Sequence, residues 1–218
     1  MRRPALVALV GLLVALLLGL LLAPGVPAAA PPFDALLAVV EGRTIAASDI
    51  ALARALGVLG FAPSPSPIAR EEIERFADVL LIIDEAGRIG ISAEPEQTER
   101  AWTAVVARVG GEAALARWLD AQRLDRAWAH RLVEYEVIRA RFFEARFAAF
   151  VFPDEAAVVR ALGPGQHDEA GREAARARLI REAAERAQAD WLQEARRRMS
   201  VRVLMSPGAS IAPPFPAP

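Results

Sequence analysis

The chain has 218 residues, 26 basic and 27 acidic side chains, a formal charge of −1 and 54% hydrophobic residues. A near-neutral balance leaves no electrostatic footprint of a nucleic-acid binder, so no nucleic-acid partner is expected. The absence of cysteine excludes disulfides and thiolate metal sites, and a fold of this length must rest on packing alone.

Arg2 and Arg3 precede an uninterrupted apolar run over residues 5–22, followed by Pro24-Gly25 and the small-residue stretch 26–30. These are the three regions of an export signal, with Val26 and Ala28 at the small-residue positions for cleavage after Ala28. Residues 1–28 therefore read as a signal peptide. An uncleaved anchor stays open as the other reading, because the run approaches the roughly 20 residues that span a bilayer. Either way the arginines before the run place the remaining chain on the non-cytoplasmic side, here the periplasm. A membrane is a partner only if the segment is retained.

Residues 36–40 and Thr44-Ile45 flank Glu41-Gly42-Arg43 as a hairpin, with Gly42 supplying the positive φ of the turn. Two strands alone are marginal. The run 201–204, Val-Arg-Val-Leu, alternates at period two and is the expected third strand, which joins the two ends of the domain.

Between them the periodicity is helical. Ser48 and Asp49 sit in the first turn of a helix reaching about Leu59, with Ser48 as a substitute for the missing cap at Ala46. The loop 61–67 carries Pro63, Pro65 and Pro67 and is stiff. A second helix is expected over about 68–88, with Ile73, Phe76, Ala77, Leu80, Leu81 and Asp84 along one stripe. Further helices follow over about 95–109, 112–122 and from Leu124-Asp125 to about Phe150. A short one starts at Pro153-Asp154-Glu155, and a long charged one covers 168–199 with an Ala seam, Trp191 and Leu192 plugging it onto the first helix. The Pro-rich tail 206–218 is expected to form neither helix nor strand.

The run Val40-Glu41-Gly42-Arg43-Thr44-Ile45-Ala46-Ala47-Ser48-Asp49-Ile50 resembles the opening of SurA-type periplasmic chaperones and their parvulin-linked relatives. So do Glu85-Ala86-Gly87-Arg88-Ile89-Gly90-Ile91 and Leu119-Asp120-Ala121-Gln122-Arg123-Leu124, in the same order. The resemblance spans residues 37–204; Ala46 departs from it, where the family has Thr or Ser. It implies a mainly α, SurA-N-like domain over 33–205, with a small sheet joining the N-terminal hairpin to the C-terminal strand. In many relatives a parvulin prolyl isomerase domain of roughly 90–100 residues sits before the last helix. Here that place holds Gly163-Pro164-Gly165-Gln166-His167, and the isomerase site has no matching positions.

Other chemistry is sparse. The two histidines are His130, expected to pair with Arg126 and Glu134 on its own helix, and His167 beside Asp168, too few ligands for a metal. Glu134 and Glu136 fall about 200° apart on a helix and make no acid/base pair. No phosphate loop or nucleophile elbow is present, so neither catalytic residues, a metal nor a cofactor are expected. The resemblance implies a non-catalytic holdase for unfolded outer-membrane or secreted polypeptides. Its candidate client contacts are Trp128, Tyr135, Phe142, Phe143, Phe147 and Phe150, with Phe143, Phe147 and Phe150 on one stripe and Phe142 at a neighbouring angle. Rings of this size also fill domain interiors, which is the other reading of the cluster. Arg139, Arg141 and Arg146 flank it, available for guanidinium contact with client rings. A homodimer, an isomerase by family and a membrane-anchored assembly factor remain as alternatives.

Overall fold

The computed structural model describes residues 34–163, 168–204 and 210–211. The export segment, His167 and most of the Pro-rich tail lie outside them. In chain order the elements are β1 (Leu36–Val40), β2 (Arg43–Ala46), α1 (Ala47–Leu56), β3 (Ile68–Ala69), α2 (Arg70–Arg88), α3 (Pro95–Arg108) and α4 (Glu112–Gln122). There follow α5 (Arg126–Arg146), a 3-10 turn (Ala148–Phe150), α6 (Glu155–Ala161), α7 (Glu169–Arg198), β4 (Val201–Val203) and β5 (Ser210–Ile211).

The fold is mainly helical, with a three-stranded antiparallel sheet of order β2-β1-β4. Glu41 and Gly42 both take positive φ, 48° and 79°, so the hairpin closes through two left-handed residues, the geometry that matches strand twist. On its other edge β1 pairs with the end of the chain, Val40 opposite Val201 and Ala38 opposite Val203. Backbone bonds from Glu41 N–H to the Ser200 carbonyl (2.9 Å) and from Leu204 N–H to the Leu37 carbonyl (2.8 Å) extend that seam. The hairpin thus has the third strand that it needs.

Behind the sheet lies the main core. Leu37, Val40 and Ile45 from the sheet meet Ile50, Leu52 and Leu56 of α1, Ile73, Phe76 and Leu81 of α2, and Leu132 and Val133 of α5 in one buried cluster. The predicted stripe of α2 is buried as far as Leu81, whereas Asp84 faces Arg43 of β2 across a 3.1 Å ion pair. A second cluster surrounds the far end of α5, where Ile82, Ala86, Ile138, Phe142, Phe147 and Ala184 pack together. Trp191 belongs there, 5.3 Å from the Phe142 ring. It plugs α7 onto α5, not onto the first helix. The Ala seam of α7 is present, with Ala175, Ala184 and Ala195 buried, and Arg196 grips Asp78 of α2 through two 2.6 Å bonds.

Three element boundaries differ from expectation for local reasons. The first helix ends at Leu56 because Gly57 takes the left-handed conformation (φ 62°) and caps it. Its start is served by Asp49, whose Oδ2 accepts the Ala46 N–H at 2.8 Å; Ser48 instead bonds back to Asp34. At the other end of the molecule α5 stops at Arg146, and Phe147 (φ −123°, ψ −54°) leads into the 3-10 turn. Ile68–Ala69 is strand where helix was expected, paired with Ser210–Ile211 of the tail.

Candidate functional site

The segment that links α5 to α6 collects the aromatic residues singled out above, and the structure sorts them. Phe142 is fully buried and Phe147 nearly so, packed edge to face at 5.7 Å. Both are interior and cannot meet a client. Phe143 is half-buried beside Phe147, 6.3 Å between centroids. Because the helix ends at Arg146, the stripe Phe143, Phe147 and Phe150 does not form. The chain leaves the helix axis at Phe147, and Phe150 is carried outward to 72% exposure, with Phe152 at 85%. Val159, on α6, is also exposed.

Trp128 and Tyr135 are partly buried against the core and meet edge to face at 6.0 Å. The Trp128 indole N–H donates to Asp49 Oδ1 at 2.9 Å, so this ring locks α5 onto the start of α1. Burial pushes the Asp49 carboxyl up from its ordinary range, while the hydrogen bonds from Ala46 and Trp128 pull the other way. Both oxygens accept, one from each donor. An Asp49→Asn variant presents an amide NH2 to one of them and is expected to lose about 1–3 kcal/mol of stability, read from the urea midpoint at neutral pH. An unchanged midpoint would show that the Trp128 contact carries no weight.

The basic flank is also spoken for. Arg139 bonds Glu136 at 2.9 Å, and Arg141 bonds Glu94 at 2.7 Å and Gln97 at 3.3 Å; Arg146 is exposed. Between α3 and α5 lies an open depression of about 420 Å³ lined by Gln97, Glu136, Val137, Ala140, Arg141 and Glu144. It has an aliphatic floor and a charged rim and takes in none of the candidate rings. Glu136 does more than line it, since its Oε2 accepts the N–H of Leu59 at 2.7 Å and so holds a leucine at positive φ (60°).

His130 turns away from the neighbours on its own helix. It bonds Glu99 of α3 at 3.1 Å and lies 5.2 Å from the Trp102 ring, while Arg126 pairs with Glu112 and covers Trp102 from 5.0 Å. This is an α3–α5 contact with no reacting group. Among the described residues no three His, Cys, Asp or Glu side chains are placed to hold a metal ion, and no described helix is long and apolar enough to cross a membrane.

Sequence reasoning overlooked Arg54, which is 4% exposed in the middle of an apolar helix. It forks onto Glu72 at 2.8 Å and 2.5 Å and onto the carbonyls of Ser66 at 2.6 Å and Pro67 at 3.3 Å. The signal was there in kind: a lone charge on a buried face, followed by a Pro-rich loop whose carbonyls lack regular partners. No protein-family model matches the chain, and no curated protein matches it either.

Proposed function

We propose that the chain is a non-catalytic, SurA-like periplasmic chaperone that holds unfolded outer-membrane or secreted polypeptides through exposed aromatic surface. The observation that carries this reading is the pair Phe150 and Phe152, set in water on the short connection between α5 and α6. Burying a ring of this size is worth about 1.5–3 kcal/mol, and the fold forgoes that gain twice within three residues. An extended apolar stretch of a non-native client would recover it. The connection is anchored from below, because Phe147, Ala148 and Val151 pack into the second core cluster, so the rings stand on a fixed base.

The ordered sequence pattern over residues 37–204 and the joined ends of the sheet agree with this reading. Binding of this kind draws on apolar contact and needs no nucleotide. The test is light scattering from a chemically unfolded client. Near-stoichiometric chain is expected to suppress aggregation, and full aggregation at that ratio would remove the proposal. The Phe150→Ser/Phe152→Ser double variant is expected to lose most of the suppression while its stability stays within about 0.5 kcal/mol, as for surface positions generally. A proline-containing peptide should still interconvert in the uncatalysed tens of seconds; acceleration would support the isomerase reading in its place.

A further inference from the structure

The C-terminal strand β5 lies along Ile68–Ala69, Ile211 opposite Ile68 and Ser210 opposite Ala69, antiparallel. What shapes β3 is something else. The Arg54 guanidinium holds the carbonyls of Ser66 and Pro67 from the interior side, the Glu72 carboxylate takes the Ala69 N–H at 3.0 Å, and the Ile68 side chain is fully buried in the main core. With its conformation fixed by these groups, the outer edge of β3 is a preformed strand site whether or not β5 occupies it.

The occupant is held weakly. Each strand contributes two residues, and net backbone hydrogen bonds are worth only about 0.5–1.5 kcal/mol each. The ladder cannot lengthen, since Pro67 offers no N–H on one side, α2 begins at Arg70 on the other, and Pro213 and Pro214 follow β5 in sequence. A strand this short stays in place chiefly because it is tethered, which gives it an effective concentration on the order of millimolar.

We infer that the β3 edge is an exchangeable strand-binding slot, and that the tail strand is its built-in competitor for an extended client segment carrying an aliphatic residue behind a small one. This names a contact mode for the proposed chaperone and rests on that reading. The experiment compares the full-length chain with its full-length Ser210→Pro/Ile211→Asp variant, in which the slot is untouched and the tail can no longer pair. The probe is a fluorescein-labelled peptide of residues 207–214, followed by anisotropy. The variant is expected to bind it about tenfold or more tightly than the unaltered chain, by removal of the tethered rival. A control peptide bearing the same Pro and Asp replacements should not bind. Equal affinity for both proteins, no binding to either, or equal binding of the control overturns the slot. Circular dichroism verifies that the variant is folded. Loss of aggregation suppression without any change in this binding difference would count against the chaperone reading alone.

Discussion

Replacement of Arg54 by leucine is expected to lower the unfolding free energy by about 3–5 kcal/mol, the usual consequence of removing one member of a buried pair. The guanidinium is almost fully enclosed, and its loss strands the Glu72 carboxylate together with the carbonyls of Ser66 and Pro67. Leucine fills some of the volume and satisfies none of the acceptors. A urea titration reads the effect directly, and a loss below about 1 kcal/mol would mean that solvent replaces the fork. The same pair sets a pH dependence. Burial alone would raise the Glu72 pKa, but the hydrogen bonds from Arg54 and the Ala69 N–H outweigh it and hold the carboxyl below its ordinary range. A depressed folded-state pKa gives stability that is complete above the ordinary glutamate range and is lost as pH falls through the depressed value. The leucine variant should therefore show a flatter acid limb than the parent.

Phe142→Ala is expected to cost about 3–5 kcal/mol, the range for emptying a buried aromatic site. Phe142 is fully enclosed and touches Phe147 and Trp191 at 5.7 Å and 5.3 Å, joining α5, the 3-10 turn and α7 in one contact. The cavity would open beside Trp191, so the indole emission should shift to the red along with the fall in midpoint. Phe152→Ala removes the same ring from water and is expected to move stability by no more than about 0.5 kcal/mol. If the two variants behaved alike, the division of the aromatic cluster into interior and surface members would be wrong.

That division is where the sequence was least legible. The sheet could be read because its signals are local: Gly42 in a two-residue turn and the alternation at Val201, Arg202 and Val203. Helix limits at Pro95 and at Gly110-Gly111 were equally plain, since proline and glycine act on their own backbone. The rotation of the chain at Phe147 has no such marker; with neither Gly nor Pro nearby, a periodic count runs straight on to Phe150. The partner of His130 lies on another helix, and periodicity within α5 cannot find it. Two-residue strands such as β3 and β5 are shorter than any alternation that a pattern could register.

The seam between β1 and β4 bears on the order in which the molecule can be made. Ribosomes release the amino end first, so the middle strand of the sheet emerges long before its second neighbour exists, and Val40 and Ala38 wait with one edge open until Val201 and Val203 follow. Pairings of such sequence separation are slow to close. Throughout that interval the nascent protein carries a bare β edge, the very kind of surface that sticks to other unfinished chains.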